Sequence, residues 1–122
     1  MYSYKAKLIR IVDADTVDLL VDLGFKVLHV VRVRLLDVDA PEIYGVKRDS
    51  DEFYNGKRAT EFVRGWFDNA STLSLKTIKA GQDGNWLGVI SKETTGEIAI
   101  GYDAMTLNDA LKLWINRQEQ GK

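Results

Sequence analysis

An apolar strand that ends in a cluster of carboxylates constrains the fold of this chain more than any other segment. Residues 31–36 read Val-Arg-Val-Arg-Leu-Leu, which is the period-2 pattern of a half-buried strand. The residues that follow include Asp37, Asp39 and Glu42, around the only proline of the chain. Like charges crowded at the end of a strand repel one another unless a positive charge lies among them. The sequence therefore predicts a counter-charge at this turn, either Arg34 or a bound metal cation.

Length and composition favour one ordinary globular domain. The 122 residues are 45% hydrophobic and 29% charged, which suffices for a single core, so we expect one domain over residues 1–122. The chain has no cysteine, which excludes thiolate metal sites and cysteine nucleophiles. No segment has the length of a signal-peptide core or of a membrane span. We therefore expect a cytoplasmic monomer with no membrane association, unless a leader has been removed.

The net charge limits how the protein can bind nucleic acid. A formal net charge of −1 and a pI of about 5.8 are unlike those of proteins that bind nucleic acid through charge spread over the whole surface. Any contact with nucleic acid must then depend on a local basic patch.

The first part of the chain predicts an antiparallel meander of three strands. Alternation of apolar and polar residues predicts strands over 4–12, 16–23 and 26–36, and their short turns favour antiparallel pairing. His29 lies among valines of the third strand. We interpret it as a hydrogen-bonded residue of the barrel and not as a catalyst.

A loop and a helix are predicted next. Residues 43–55 are polar and show no period, which predicts an exposed loop. Asn55 is the predicted N-cap of a helix. The apolar stripe of this helix consists of Ala59, Phe62, Val63, Trp66 and Phe67.

The second half adds strands and a final helix. A strand is predicted over 73–79, and a hairpin over 86–91 and 97–101. Thr106 is the predicted N-cap of a helix that begins at Leu107 and frays beyond Asn116, with Asp109 completing a capping-box pattern. Five or six strands with a helix after the third predict a mainly β (α+β) fold, a small five-stranded Greek-key barrel of the oligonucleotide-binding (OB) type with two helices.

Two acidic turns carry the candidate chemistry. Asp13 and Asp15 join the first two strands, and the charged turn after the third strand is the second cluster. In a meander these turns lie at the same end of the sheet, so we expect Asp15 beside Asp39 and Glu42. Oxygen ligands of this kind suit Ca²⁺ or Mg²⁺. A divalent ion, a carboxylate base and a guanidinium are the groups needed to attack a phosphodiester.

Five short motifs occur in the order and spacing of a known family. They are Asp-Ala-Asp-Thr-Val at 13–17, Arg-Leu-Leu-Asp-Val-Asp-Ala-Pro-Glu at 34–42, Gly-Lys-Arg-Ala-Thr-Glu-Phe at 56–62, Trp-Leu-Gly at 86–88 and Leu-Asn-Asp-Ala-Leu at 107–111. Together they cover nearly the whole chain, which closely resembles the staphylococcal nuclease (thermonuclease) family. The resemblance implies a calcium-dependent phosphodiesterase on an OB barrel, which cuts single-stranded DNA and RNA and leaves 3′-phosphates.

The resemblance also implies a metal site. By position, Asp15 and Asp39 would bind the ion through their carboxylates, and Ala40 would bind it through its backbone carbonyl. Asp13 would lie in or near the outer sphere of the metal. Ca²⁺ is the expected ion, ahead of Mg²⁺.

The remaining family roles fall on three positions. Glu42 would hold and deprotonate the attacking water, and Arg34 would clamp the phosphate. The family has a second arginine where this chain has Asn85. Asparagine can still donate a hydrogen bond to a bound phosphate, but it adds no charge, and an arginine in phosphoryl transfer contributes about 10³–10⁵ in rate.

Three hypotheses therefore stay open from the sequence. The chain is a weak nuclease, a nuclease rescued by Arg48 or Arg58, or a nuclease-like domain that only binds nucleic acid or a protein partner. Asn85 and the acidic pI favour the binding domain. The carboxylate set and Arg34 favour the enzyme, since a binding module has little reason to hold so many carboxylates together.

Overall fold

A computed structural model of the protein describes residues 2–41, 50–68, 72–80, 85–93 and 100–120. Its elements in chain order are β1 Tyr2–Asp13, β2 Thr16–Asp22, β3 Leu28–Leu35, α1 Asp51–Phe67, β4 Leu73–Ala80, β5 Trp86–Lys92, a 3₁₀ turn Gly101–Ala104, and α2 Leu107–Gln120. None of the helices in these ranges is both long and apolar enough to cross a membrane.

The strands close into a barrel with the order β1-β2-β3-β5-β4. Neighbouring strands are antiparallel except for β3 and β5, which pair in parallel over Val33–Leu35 and Trp86–Gly88. The long connection between β3 and β4 carries α1. This is the mainly β, OB-like barrel with two helices that the sequence predicts.

The core contains the strand residues that alternation places in the barrel interior, together with the apolar stripes of the two helices. Inward-facing side chains of β2 and β3 and the apolar stripes of both helices are buried. They include Val17, Leu19, Val21, Val31, Val33, Leu35, Ala59, Val63, Trp66, Phe67, Leu107, Ala110 and Leu111.

Helix α1 begins earlier than the sequence pattern indicates. Its N-cap is Ser50, whose hydroxyl accepts a hydrogen bond from Phe53 N at 3.2 Å. Asp51 and Glu52 occupy the first turn, where carboxylates interact favourably with the helix dipole. The prediction of Asn55 as the N-cap is therefore wrong. The part of the predicted loop over 43–49 lies outside the described residues.

Helix α2 begins as predicted and ends later. Thr106 Oγ1 accepts a hydrogen bond from Asp109 N at 3.1 Å, which confirms the N-cap. The helix continues to Gln120 and does not fray after residue 116. Trp114 explains part of the difference, because its ring stacks on Phe62 of α1 with the centroids 5.3 Å apart and so stabilises the later turns.

The outcomes of two further predictions differ. Most of the second strand of the predicted hairpin, over 97–99, lies outside the described residues, while Gly101 belongs to a 3₁₀ turn and not to a strand. His29 lies on β3, as predicted, and is exposed, while its expected role as a hydrogen-bonded residue stays a prediction. The β2–β3 hairpin extends past the closed part of the barrel, and His29 lies on that extension.

Gly88 of β5 lies between β3 and β4, where it pairs with Leu35 and Thr77. A Cβ atom at Gly88 would lie 2.6 Å from Leu75 Cδ1 and 3.1 Å from Lys76 O, so the buried Leu75 side chain would have to shift. An alanine at this position would therefore overpack the core.

We predict that Gly88→Ala destabilises the protein by about 1–3 kcal/mol, the usual cost of overpacking a core. Gly65→Ala is the matched control, since Gly65 lies within α1 and a Cβ there meets nothing within 4 Å. Alanine should stabilise that helix by up to about 1 kcal/mol. Urea unfolding followed by circular dichroism measures both, and equal effects of the two substitutions would contradict the packing argument.

Candidate functional site

The structure brings the two acidic turns together. Leu35 N donates to Asp15 O at 2.8 Å, and Thr16 pairs with Arg34 in the β2–β3 ladder. Ala40 N lies 3.4 Å from Asp15 Oδ2 and donates to it. The segment after β3 therefore folds back over the β1–β2 turn, so that Asp15 and Ala40 lie in contact.

Asp15 is a buried carboxylate without a cationic partner. Only 6% of the residue is exposed. Its oxygens accept hydrogen bonds from Thr16 Oγ1 at 3.0 Å and from Ala40 N. Among the described residues, none of the ion pairs involves Asp15. A buried carboxylate is costly unless charge or several hydrogen bonds offset its desolvation, and a cation bound at this position would offset that cost.

The turn after β3 exposes Asp39 and buries the residues on either side of it. Asp37 has φ +60°, a left-handed conformation that aspartate tolerates better than most residues. Val38 and Ala40 are then buried, while Asp39 is exposed. The turn thus places an exposed carboxylate next to the buried Asp15–Ala40 contact.

Asn108 of α2 holds the start of this turn, a role that the sequence analysis did not predict. Its Nδ2 donates to Leu36 O and to Gly88 O, both at 3.0 Å, and its Oδ1 accepts from Ile90 N at 3.2 Å. The residue is 3% exposed. The signal in the sequence was a polar residue directly after Leu107, at the start of an apolar helix stripe. Asn108 thereby positions the exit from β3, from which Asp39 and Ala40 follow.

A basic row, formed by Arg10 and Arg32 on either side of Asp18, lies on the outer face of the barrel. Asp18 of β2 pairs with Arg10 of β1 and with Arg32 of β3 in the strand ladders. Arg32 Nε and Nη2 bind the two oxygens of Asp18 at 2.9 and 3.3 Å, and Arg10 Nη2 binds Oδ2 at 3.1 Å. Two guanidinium groups thus share one carboxylate, which leaves an excess of positive charge.

Arg34 and Asn85 lie next to this row. Arg34 is exposed, and in the part of the chain that the structure describes it forms no ion pair with Asp37 or Asp39. Asn85 is half-buried and directly precedes Trp86, which pairs with Val33. The outer face of the barrel therefore presents three arginines, Arg10, Arg32 and Arg34, on the strands that border the two acidic turns.

The remaining predicted residues have varied positions. Asp13 is half-buried and pairs with Thr16 at the end of β1. Glu42 and Arg48 lie outside the described residues. Within the described ranges, no group of three or more carboxylate or histidine side chains converges.

Arg58 lies beside a groove that borders the charged turn. The groove measures about 400 Å³ and lies between α1, α2 and Pro41. Arg58 donates a hydrogen bond to Asn55 Oδ1, and Arg117 of α2 also lines the groove. A shallower depression of about 320 Å³ continues past Pro41 to Asp39. Arg58 is thus near the turn, but it lies on the helix side and away from the basic row.

Comparisons with known proteins add no family assignment. No protein-family model matches the chain, and no curated protein matches it. The resemblance to the staphylococcal nuclease family therefore stays a prediction that depends on the five sequence motifs.

We predict that Asn108→Asp destabilises the protein by about 3 kcal/mol or more, because it removes two buried donors and sets a carboxylate against two carbonyl oxygens. Asn116→Asp is the matched control on the exposed face of α2, where a change within about 0.5 kcal/mol is expected. Chemical denaturation gives both values. If the two variants were equally stable, Asn108 would not hold the turn.

The basic row should make stability depend on pH at low pH. The hydrogen bond from Arg32 and the charges of Arg32 and Arg10 hold the pKa of Asp18 below its ordinary value of 3.8. A lowered folded-state pKa contributes stability above pH 3.8, and that contribution is lost as the pH falls through the folded-state pKa.

We therefore predict that Asp18→Asn lowers the melting temperature at pH 7, and that the difference from wild type shrinks below pH 3.8. Glu61→Gln, at an exposed position in the middle of α1, controls for general charge effects. Melting curves over this range test the point. If the difference in melting temperature between wild type and Asp18→Asn stayed constant down to the lowest pH, the ion pairs of Asp18 would contribute nothing to stability.

Proposed function

We propose that this protein is a Ca²⁺-dependent endonuclease that hydrolyses phosphodiester bonds in single-stranded DNA and RNA. The observation that carries the proposal is the buried Asp15 carboxylate, which contacts Ala40 in the turn after β3 and, among the residues that the structure describes, accepts hydrogen bonds from neutral donors alone. The family resemblance implies the reaction, which is hydrolysis of a phosphodiester. The basic row near Asp15 would bind the phosphate backbone.

The residues present fit a hard divalent cation. Asp15 and Asp39 would bind it through carboxylate oxygens, and Ala40 would bind it through its carbonyl oxygen. All of these ligands are oxygens, which is the donor chemistry that Ca²⁺ prefers. When bound, the ion supplies positive charge for the phosphoryl oxygens of the substrate.

The chain's own side chains would bind and orient the phosphate. Arg34 is exposed, so its guanidinium is accessible for bidentate contact with a phosphate. Arg10 and Arg32 lie in the neighbouring row and would contact the next phosphates of a single strand. Asn85 would donate one further hydrogen bond to substrate.

Glu42 is the proposed general base, by its place in the motif. It would take a proton from a water molecule whose oxygen attacks phosphorus. The bond from phosphorus to the 5′ oxygen would break, and that oxygen would take a proton from solvent. The products are a 3′-phosphate and a 5′-hydroxyl.

A second candidate function is nucleic-acid binding without hydrolysis. It is favoured by Asn85, which brings no charge to the transition state, and by the basic row, which needs no metal. Arg58 could replace the missing charge only if substrate reached the groove beside Pro41.

We predict that the wild-type protein hydrolyses single-stranded DNA and RNA in Ca²⁺ and loses this activity in chelator. Glu42→Gln should lower the rate by about 10²–10⁴, the usual contribution of a general base. Asn85→Arg should raise the rate, and Arg58→Gln should leave it unchanged unless Arg58 serves as the second cation. Hydrolysis of a labelled oligonucleotide gives the rates of all four proteins. A wild-type rate in Ca²⁺ no higher than that of Glu42→Gln would falsify the proposal that the protein is an enzyme.

Binding measurements separate the two candidate functions. Ca²⁺ should raise the melting temperature of wild type by mass action and should fail to do so for Asp15→Asn. Asp68→Asn, at the exposed C-cap of α1, is the matched control and should respond as wild type does. Oligonucleotide binding without Ca²⁺ stabilisation and without turnover would favour the binding domain.

A further inference from the structure

The β2–β3 hairpin extends beyond the barrel with one strand edge unpaired. β3 pairs with β2 along its whole length, from Leu28 opposite Asp22 to Arg34 opposite Thr16. β5 reaches β3 only over Val33–Leu35. Among the described residues, the other edge of β3 therefore has no partner strand over residues 28–32.

The hydrogen-bond register shows which backbone groups face this edge. Leu23 N donates to Val27 O at 2.9 Å, and Leu35 N donates to Asp15 O at 2.8 Å. Antiparallel pairs alternate between hydrogen-bonded and non-hydrogen-bonded, so the odd-numbered residues of β3 bond to β2. The N–H and C=O groups of Leu28, Val30 and Arg32 therefore point to this edge. Arg32 adjoins the stretch that pairs with β5, whereas Leu28 and Val30 lie beyond it, where another strand would pair with them.

Exposed apolar side chains lie on this edge and beside it. Leu28 is 59% exposed and Val30 54%. Next to them, toward the hairpin tip, Val27 is 50% exposed and Phe25 100%, while at the other end of the edge Arg32 is ion-paired with Asp18. Natural edge strands are usually protected by a lysine, a proline or a bulge. The β2–β3 ladder runs without a register shift, and residues 27–31 read Val-Leu-His-Val-Val. This segment therefore has both the backbone groups and the side chains of a pairing surface.

We propose that the free edge of β3 pairs with the same edge of a second copy of this chain. Phe25 and Lys26 have φ +53° and +62°, so the extended strand ends before them and the ladder cannot lengthen toward the hairpin tip. The register that uses both free residues sets Leu28 opposite Val30 of the second copy, with the two His29 residues facing each other. This pairing forms four backbone hydrogen bonds between apolar neighbours.

The same surface is used on both copies, so the contact closes as a two-fold dimer. Each β3 has one free edge, and pairing consumes it, which prevents growth into a longer sheet. The exposed apolar side chains offer on the order of 400 Å² per copy, about half of the 800 Å² that each side of a standard interface buries. The dimer should therefore be weak and form only at high protein concentration, with the monomer expected from the sequence prevailing in dilute solution.

The test uses sedimentation velocity of the full chain from low micromolar to near-millimolar concentration. The average mass of wild type should rise toward twice the monomer mass. Val30→Pro removes an N–H that faces the free edge and leaves the bonds to β2 intact, so this variant should stay monomeric. A wild type that is monomeric throughout, or a dimer that Val30→Pro does not weaken, overturns the proposal.

A cross-linking experiment tests the register independently of the stability of Val30→Pro. The chain has no cysteine, and facing residues in a non-hydrogen-bonded pair lie within disulfide distance. His29→Cys should form a covalent dimer on mild oxidation at high concentration. Ile9→Cys, on β1, where the residue is also exposed at 54%, should not. Equal cross-linking of the two variants, or none by His29→Cys, overturns the proposed pairing.

Discussion

The candidate site depends on the hydrogen bonds that the buried side-chain amide of Asn108 makes. β3 and β5 pair only over Val33–Leu35 and Trp86–Gly88, and beyond that point their backbone groups need other partners. Asn108 supplies them, because it bonds Leu36 O, Gly88 O and Ile90 N from the first turn of α2. A residue of the last helix thus fixes the turn that carries Asp39, and the site requires the whole fold.

The fold treats Asp18 of β2 and Asp15, which directly precedes β2, in opposite ways. Asp18 lies between Arg10 and Arg32 and is offset by both. Asp15 is buried, and among the described residues its donors are one hydroxyl and one amide. A charge that is offset contributes to stability, whereas a buried charge without a counter-charge costs stability unless a ligand provides one. Because of this contrast, the proposed metal site is centred on Asp15 and not on the more exposed acidic residues.

Patterns of short range predicted the fold well. Alternation identified the strands around Val17–Val21 and Val31–Leu35 because side chains in a strand alternate between core and surface. The start of α1 was missed, because Asn55 and Ser50 are both good N-caps and only the fold shows which is used. The exposure of His29 could not be predicted, because alternation gives the face of a residue but not whether anything covers that face.

The sequence by itself determined the barrel, its two helices and the two acidic turns, since these follow from local periodicity and turn chemistry. Only the tertiary structure decided that Asp15 is buried against Ala40, that Asn108 bridges β3 and β5, and that one edge of β3 stays open. Each of these depends on residues far apart in the chain. Burial and hydrogen-bond partners are properties of the closed barrel, which is why no local pattern could specify them.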